Sequence, residues 1–264
     1  MGCYNYCMTF IHAIILGIVE GLTEFLPISS TGHLILTSRA LSLEPTEFLK
    51  SFEIVIQFGA ILAVLVYYSR VLFLKKELLW KVIVAFIPTG IVGFFLYKIV
   101  KMYLLGNLWV VVVALVVGGI ILIFIEKRLA TQAPIDVNST RISYKQAAIV
   151  GLFQSLAIVP GVSRAAATII GGRALGIQRR QIVEFSFLLA IPTIGAAALL
   201  DVIKNPEVFY VGNRTLLIIG LIVSFITAFS AIFWFIRYVE HHSLVAFGIY
   251  RIIVAVVFYF FFLY

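Results

Sequence analysis

Apolar residues along the chain form six long runs, which short polar or basic segments separate. The runs cover roughly residues 52–70, 78–98, 107–126, 182–203, 214–238 and 244–263. A membrane-spanning helix needs about 20 mostly apolar residues, and within a hydrocarbon layer only helices or closed barrels satisfy their backbone hydrogen bonds. Unbroken apolar runs of this length favour helices, so we expect six membrane-spanning helices.

Two further apolar stretches are interrupted by polar residues and a proline. Residues 10–40 are broken at Pro27, and residues 147–175 are broken at Pro160. Each break leaves two half-length helices, which are too short to cross the membrane separately. Each stretch is therefore typical of a re-entrant helical hairpin, which enters and leaves the membrane on the same side.

The two interrupted stretches resemble each other. The segment Gly17-Ile-Val-Glu20 matches Gly151-Leu-Phe-Gln154. In both stretches a serine follows three residues after the proline, and these serines are Ser30 and Ser163. The similarity is weak, but it indicates an internal repeat.

The repeat predicts the organisation of the whole chain. We expect one membrane domain of residues 1–264, with a first repeat at about 8–128 and a second at about 144–264. Each repeat would hold one hairpin and three spanning helices. An odd number of crossings turns the second copy upside down, so the predicted fold is an all-α polytopic membrane protein with an inverted-topology repeat.

The composition excludes a soluble protein. Hydrophobic residues make up 62% of the chain, charged residues only 12%, and the mean hydropathy is +1.12, whereas a globular domain is about half apolar and a quarter charged. The formal net charge is +8, but the basic residues lie in short clusters between apolar segments. They indicate membrane topology rather than a nucleic-acid partner.

The distribution of Lys and Arg predicts the orientation. Loops near 70–81, 127–145 and 173–180, together with Arg237, hold twelve basic residues. The opposite side holds six, namely Arg39, Lys50, Lys98, Lys101, Lys204 and Arg214. Since cytoplasmic loops carry the excess of Lys and Arg, we expect both termini and the first hairpin outside and the second hairpin inside, with the two hairpin tips meeting near mid-membrane.

The first hairpin carries two carboxylates, Glu20 and Glu24, within its apolar stretch. A spacing of four residues places them on one helix face. Two adjacent like charges in an apolar setting need compensation by a shared proton, a basic partner or a divalent cation, and carboxylate oxygens suit Mg²⁺ or Ca²⁺. The alternative is that this segment lies at a wet interface.

Hydroxyl groups and a histidine follow Pro27. Ser29 or Ser30 is expected to cap the second half-helix, whose free N–H groups and positive dipole end favour a phosphate. Ser30 and His33, three residues apart, suit a nucleophile and its base. A lone serine would more often be a helix cap only, but here His33 and the two carboxylates accompany it.

The second hairpin carries Arg164 deep in an apolar stretch. An arginine at the centre of a membrane helix costs about 2.5 to 3.5 kcal/mol on insertion scales, so a purely structural role is disfavoured. Its guanidinium can grip phosphate oxygens in a bidentate fashion. Two half-helix starts, one with carboxylates, serine and histidine and the other with arginine, suit a diphosphate head group.

The chain resembles a known family in these motifs. The runs Glu20-Gly-Leu-Thr-Glu24-Phe-Leu-Pro27-Ile-Ser-Ser30-Thr-Gly-His33 and Pro160-Gly-Val-Ser-Arg164 are similar to the two signature motifs of the undecaprenyl-diphosphate phosphatases linked to bacitracin resistance. The resemblance covers almost the whole chain. One departure is Ala165-Ala166, where many members of the family have Ser-Gly, so a hydroxyl contact from position 165 is absent here.

The resemblance implies that the terminal phosphate is removed from undecaprenyl diphosphate in a bacterial cytoplasmic membrane, at a site open to the outer face, and that the protein is a homodimer. It implies Glu20 and Glu24 as the catalytic acidic pair that binds a divalent cation, Ser30 as nucleophile, His33 as acid or base, and Arg164 as phosphate clamp. We also predict a group of further substrate-binding residues: Ser29, Thr31, Gln154, Ser163 and Thr168.

Two mechanistic and functional alternatives stay open at this point. His33 itself is a candidate nucleophile, which would form a phosphohistidine in place of a phosphoserine. Inverted repeats with broken helices are also the architecture of secondary transporters. A transporter or flippase of polyprenyl-phosphate lipids is therefore the alternative to the phosphatase, alone or as a second activity.

Overall fold

We analysed a computed structural model of the chain, which describes residues 8–99, 103–104, 107–130, 142–206 and 214–264. These residues form eleven α-helices and no strand. The helices are α1 (Phe10–Thr23), α2 (Ser30–Ala40), α3 (Glu47–Tyr67), α4 (Ser69–Leu74), α5 (Lys76–Ile99), α6 (Leu108–Ala130), α7 (Tyr144–Ser155), α8 (Arg164–Ala174), α9 (Arg179–Lys204), α10 (Arg214–His241) and α11 (Val245–Phe262). Lys98, Lys101 and Arg141, which contribute to the predicted charge bias, lie outside the described side chains.

Six of these helices are long and apolar enough to cross a membrane. They are Glu47–Tyr67, Lys76–Leu96, Leu108–Leu129, Arg179–Lys204, Arg214–His241 and Val245–Phe262. Each of the six predicted apolar runs corresponds to one of them. The chain is therefore an all-helical, polytopic membrane protein.

The two interrupted stretches each form a pair of short helices. The first pair is α1 and α2, joined by a first connecting loop of residues 24–29. The second pair is α7 and α8, joined by a second connecting loop of residues 156–163, which begins with a short 3-10 turn. The helices have 14, 11, 12 and 11 residues, which is too short for one of them to cross the hydrocarbon layer alone.

Side-chain caps explain where several helices begin. Thr9 and Ser143 start α1 and α7 with a capping box, in which the side chain of the third helical residue, His12 or Gln146, bonds back to the cap. Helix α3 begins at Glu47, five residues before the apolar run at 52, because the side chain of Thr46 accepts the N–H of Leu49. The polar first turn of α3 therefore extends the helix beyond its apolar part.

Helices from the two halves of the sequence pack against each other. Helix α1 packs mainly on α10, and α7 packs on α5. Helix α3 lies against both α10 and α9, and α6 pairs with α11. The first helix pair is thus held by the second half of the chain and the second pair by the first half, so neither pair is stabilised only by residues near to it in sequence.

Glycine permits the closest of these helix contacts. A Cβ atom at Gly151 of α7 would lie 2.0 Å from the carbonyl oxygen and 2.8 Å from the carbonyl carbon of Ala85 in α5. A Cβ atom at Gly21 of α1 would lie 2.5 Å from the carbonyl oxygen of Ser224 in α10. Small residues that let two backbones approach are typical of helix interfaces in membranes, where packing rather than hydrophobic burial drives association.

Large apolar side chains cover the outside of the helix bundle. Phe73 is 82% exposed and Phe94 is 80% exposed. In water such a surface would promote aggregation, whereas in a bilayer it faces acyl chains. Polar side chains such as Glu20, Glu24 and Ser30 are instead enclosed by the bundle.

The close approach of α7 to α5 makes Gly151→Ala destabilising. The added methyl group meets backbone atoms of Ala85, which cannot move without displacing the helix, so we expect the free energy of unfolding to fall by about 1 to 3 kcal/mol. Gly195→Ala in α9 is the matched control, because a Cβ atom there has nothing within 4 Å. Thermal unfolding in detergent measures both variants, and equal melting temperatures for the two would contradict the predicted contact.

Candidate functional site

The end of α1 and the start of α2 place two carboxylates and a serine in the interior. Glu20, Glu24 and Ser30 are 0%, 7% and 7% exposed. The N–H of Glu24 donates to the carbonyl oxygen of Glu20 at 2.9 Å, so the last helical turn of α1 includes Glu24. This turn brings both carboxylates to one face of the helix end.

Both connecting loops end in a serine with a left-handed backbone. Ser29 has φ 74° and Ser163 has φ 73°. Their hydroxyl oxygens accept the N–H groups of Gly32 and Ala166, so they cap α2 and α8. Such a conformation costs a non-glycine residue about 1 to 3 kcal/mol, and strain of this kind is concentrated at functional sites.

The positions of the two helix caps correct the pairing of serines between the two interrupted stretches. The distance from each proline pairs Ser30 with Ser163, whereas the helix starts pair Ser29 with Ser163 and Ser30 with Arg164. The sequence pairing is off by one residue because Pro27 lies two residues before its cap and Pro160 lies three. The nucleophile candidate and the arginine therefore occupy the same position, the first residue of their helices.

A continuous chain of hydrogen bonds joins these two helix starts. The hydroxyl of Ser30 donates to Oε2 of Glu24 in a short hydrogen bond. The other carboxylate oxygen, Oε1, accepts from Nη2 of Arg164 at 2.9 Å. The side chains of Glu24 and Arg164 are only 6% and 11% exposed, so Glu24 is the bridge between the two helix pairs inside the protein.

The second guanidinium nitrogen of Arg164 is held by α9. Nη1 donates to the carbonyl oxygen of Ser186 at 2.7 Å, and the hydroxyl of Ser186 lies 2.7 Å from that of Thr168. Thr168 is fully buried and also donates to the carbonyl oxygen of Arg164. Nε of Arg164 is buried without a partner, which leaves one donor of the guanidinium available for an anion.

His33 lies beside Ser30 in sequence, but its ring nitrogens face other groups. Nδ1 is 2.8 Å from the carbonyl oxygen of Ser29, and Nε2 is 2.9 Å from the hydroxyl of Tyr250. Because a carbonyl oxygen only accepts, Nδ1 carries the hydrogen and Nε2 accepts the Tyr250 O–H. Ser30 is thus hydrogen-bonded to Glu24, while His33 is oriented by Ser29 and Tyr250.

Glu20 is the least compensated group of the site. It is fully buried, and neither carboxylate oxygen has a hydrogen-bond partner. The charged groups that act on it include Glu24 and Glu53, which repel it, and Arg164, which attracts it. A buried carboxylate with two free oxygens beside another carboxylate is a suitable place for a cation.

Four of the five predicted substrate-binding residues are not part of this hydrogen-bonded chain. Ser29 and Ser163 are helix caps instead, and Gln154 and Thr31 also lie outside it. Gln154 is 1% exposed and donates from Nε2 to Thr89 of α5 at 2.9 Å. Thr31 is half-buried in the first turn of α2. The chain joins Glu24, Ser30 and Arg164, and it reaches Thr168 through Ser186.

Several polar residues that contact the site were missed in the sequence. Tyr250 bonds to His33, Ser186 bonds to Arg164, and Glu53 accepts the hydroxyl of Ser38 at 2.9 Å. Arg251 is fully buried in α11. The signal for Arg251 was the same as for Arg164, an arginine within an apolar run, whereas nothing in the local sequence distinguishes Ser186.

The arrangement combines three functions that phosphoryl transfer needs. The hydroxyl of Ser30 could act as a nucleophile, the carboxylate of Glu24 could accept its proton, and the guanidinium of Arg164 could bind phosphate oxygens. The N-terminal ends of α2 and α8, each of 11 residues, add free N–H groups and positive dipole ends near the same carboxylate.

Comparisons with known proteins agree with this chemistry. A protein-family model described as "Bacitracin resistance protein BacA" matches residues 13–257. The chain is 51% identical to an undecaprenyl-diphosphatase of Aquifex aeolicus over 97% of this chain and 100% of the relative. It is 50% identical to an undecaprenyl-diphosphatase of Sulfurihydrogenibium sp. over 96% of this chain and 99% of the relative.

A third relative, an undecaprenyl-diphosphatase of Persephonella marina, is 48% identical over 95% of this chain and 98% of its own length. All three are named for a phosphatase activity, and none of the three for transport. The similarity therefore extends over both connecting loops and all six spanning helices.

The bond between Glu24 and Arg164 predicts strong energetic coupling. Removing one partner of a buried ion pair leaves the other charge uncompensated, so Glu24→Gln and Arg164→Met should each destabilise the protein, by about 3 to 5 kcal/mol. The double variant should cost less than the sum of the two. The free energy of unfolding in detergent, measured as a double-mutant cycle, tests this, and simple additivity would refute it.

The exposed pair Lys50–Glu47 serves as the control for that cycle. Its side chains are 54% and 65% exposed. We expect its coupling to stay below about 1 kcal/mol, because water screens the two charges.

Proposed function

Because the chain belongs to the bacitracin resistance protein BacA family, we propose that it is an undecaprenyl-diphosphatase. It hydrolyses undecaprenyl diphosphate to undecaprenyl phosphate and inorganic phosphate, and so returns the lipid carrier to cell-wall synthesis. The observation that carries the proposal is the bridging carboxylate of Glu24, which accepts from the Ser30 hydroxyl with one oxygen and from Arg164 with the other.

Arg164 and the two helix starts would bind the diphosphate. The guanidinium has a buried Nε–H without a partner, and a phosphate oxygen is a stronger acceptor than the Ser186 hydroxyl that Nη1 contacts at 3.4 Å. Partial charges at the N-terminal ends of α2 and α8 oppose the negative charge that develops on the transferred phosphoryl group. Ser29 and Ser163 hold these ends in place by capping them.

The chemical step begins at the Ser30 oxygen. As it forms a bond to the terminal phosphorus, the hydroxyl proton passes to Oε2 of Glu24, and the anhydride bond breaks so that undecaprenyl phosphate leaves with the bridging oxygen. Water then attacks the phosphorus of the phosphoserine, and the bond between phosphorus and the Ser30 oxygen breaks. The proton held by Glu24 returns to the Ser30 oxygen, and inorganic phosphate leaves with the oxygen and both protons of the water. Glu24 acts as the base because it already accepts the Ser30 hydrogen bond.

We assign His33 a positioning role in this scheme, whereas the sequence suggested an acid or base. Both ring nitrogens are engaged, one by the Ser29 carbonyl and the other by Tyr250. The same engagement disfavours His33 as the nucleophile, since the lone pair on Nε2 faces the Tyr250 hydroxyl. Ser30 has its hydroxyl directed to a carboxylate instead.

Phosphate release from undecaprenyl diphosphate tests the proposed function. The wild-type protein in detergent should release phosphate, and Arg164→Lys, Glu24→Gln and Ser30→Ala should each lower kcat by about 100-fold or more. A lysine ammonium does not reproduce the planar guanidinium that bonds to Glu24 and Ser186 and leaves Nε for phosphate. The amide of Glu24→Gln would not take the proton, and the methyl group of Ser30→Ala would not attack phosphorus. Ser230→Ala is the matched control for Ser30, since its exposed hydroxyl bonds only within its own helix. Arg180→Lys, whose side chain is 58% exposed, is the control for Arg164.

Full activity of both Arg164→Lys and Glu24→Gln would overturn the assignment of the site. Absence of phosphate release by the wild-type protein, across a range of Mg²⁺ and Ca²⁺ concentrations, would overturn the function itself.

We also propose that Glu20 and Glu24 bind a divalent cation. The described residues include no cluster of three His, Cys, Asp or Glu side chains at metal-binding distances, so oxygens of the diphosphate would complete the coordination of Mg²⁺ or Ca²⁺. The two unpartnered oxygens of Glu20 fit this use. When bound, the cation would neutralise charge on the phosphates.

Removal of divalent cations should therefore abolish phosphate release, and added Mg²⁺ or Ca²⁺ should restore it. Glu20→Gln should raise the cation concentration needed for half of the maximal rate by about tenfold, whereas Glu47→Gln at the exposed start of α3 should leave it unchanged. Undiminished activity in the presence of excess chelator would rule out the cation.

The proposal also covers the membrane topology and the oligomeric state of the protein. An inverted-topology repeat with two re-entrant hairpins is supported by the matching caps Thr9 and Ser143, and Ser29 and Ser163, which lie 134 positions apart in both cases. The excess of basic residues in loops on one side supports a cytoplasmic membrane location with the site open to the outer face. Association as a homodimer follows from the family resemblance.

A further inference from the structure

Arg251 is a buried cation that the proposed mechanism does not use. It lies in α11 with 0% exposure and is the largest fully buried side chain of the described residues. None of the ion pairs in the described part of the chain includes it. A charge that is removed from water without a carboxylate partner must be compensated by dipoles.

Backbone carbonyl groups supply this compensation and use every N–H of the guanidinium. Nε donates to Leu115 at 3.3 Å, and Nη2 donates to Ala114 at 3.0 Å, both in α6. Nη1 donates to Pro27 of the first connecting loop at 3.1 Å. In the second connecting loop, Nη2 donates to Gly161 at 2.9 Å and Nη1 to Val162 at 3.0 Å.

One side chain therefore ties both connecting loops to each other and to α6. The anchored carbonyl groups immediately precede the strained caps, since Pro27 lies two residues before Ser29 and Val162 directly before Ser163. The Val162–Ser163 peptide is trans, so its N–H points away from the carbonyl that Arg251 binds. Arg251 thereby fixes the direction of the Ser163 amide at the start of α8.

Strained caps persist only where the surrounding structure holds them. Ser30 follows one cap and Arg164 follows the other. The neighbouring residue on α11, Tyr250, holds His33 through its hydroxyl. Helix α11 thus contacts both sides of the candidate site without touching Ser30, Glu24 or Arg164 through any of the bonds described.

We propose that Arg251 is a positioning residue that holds the two connecting loops in register, so that Ser30 and Arg164 act on the same phosphoryl group. The effect of this role on catalysis rests on the proposed phosphatase function. The five carbonyl groups come from three segments, and a lysine ammonium, with three donors on one nitrogen, cannot reach all of them. The planar fork of arginine is what the arrangement requires.

Two variants and one control test the role. Arg251→Lys keeps the charge but loses the fork. Gly118→Ala keeps the arginine but displaces its guanidinium, because a Cβ atom at position 118 would lie 2.2 Å from Nη2 and 2.9 Å from Cζ. Gly195→Ala adds the same methyl group in α9 where nothing lies within 4 Å.

We expect kcat per folded molecule to fall by about tenfold or more in Arg251→Lys and Gly118→Ala, because reacting groups on the two loops lose alignment. KM should change by less than about threefold, because Arg164 itself remains. Gly195→Ala should keep wild-type values. Unchanged kcat in both test variants, or an effect on KM alone, would overturn the proposal.

Hydrogen–deuterium exchange of the full chain in detergent gives a readout that does not depend on activity. Exchange should become faster in the segments 24–33 and 158–168 together, in both test variants and not in the control. Faster exchange in only one segment, in neither, or uniformly along the chain would contradict the coupling of the loops. If Arg251→Lys fails to fold, the result for Gly118→Ala alone tests the proposal. If the wild-type protein releases no phosphate, the proposed phosphatase function is wrong, whereas the exchange experiment still tests whether Arg251 couples the two loops.

Discussion

The ion pair between Glu24 and Arg164 is the interaction on which the rest of the site depends. A charged group inside a hydrocarbon layer is stable only with a partner, and these two charges come from different helix pairs, 140 residues apart in sequence. Their bond requires the start of α8 to approach the end of α1. Once this approach is made, the hydroxyl of Ser30 and Nη2 of Arg164 bond to the two oxygens of a single carboxylate, an arrangement suited to phosphoryl transfer.

The same requirement for compensation recurs throughout the interior. Arg251 is surrounded by five carbonyl oxygens instead of a carboxylate. At another position, Glu126 is 3% exposed, and its Oε2 accepts from Arg179 at 2.9 Å and from the N–H of Leu244 at 3.1 Å. Glu20 departs from the pattern, because its oxygens have no donor at all.

The sequence predicted the helices well because the signal for them is local. A run of about 20 apolar residues has few ways to satisfy its backbone in a membrane, so six runs gave six helices. The broken stretches, which the structure shows as pairs of short helices, were also predicted from their own residues. Glu20, Glu24, Ser30 and Arg164 were selected in the same way, because polar groups in an apolar segment are costly, and the structure encloses them in the bundle. The pairing of the serines that follow the two prolines was off by one residue, since the position of a proline does not determine which residue caps the following helix.

The sequence did not predict the hydrogen-bond partners of these residues, because a hydrogen bond between distant residues depends on how the helices pack. The spacing of Ser30 and His33 suggested that they act together, yet the structure directs Ser30 to Glu24 and His33 to Tyr250. Arg173 and Arg179 counted only as topology signals, whereas both lie against the buried Glu126. The sequence by itself determined which residues are too polar for the membrane interior and must therefore be compensated. Only the tertiary structure decided which group compensates each of them, because that choice depends on distances of about 3 Å between helices that the chain brings together over more than a hundred residues.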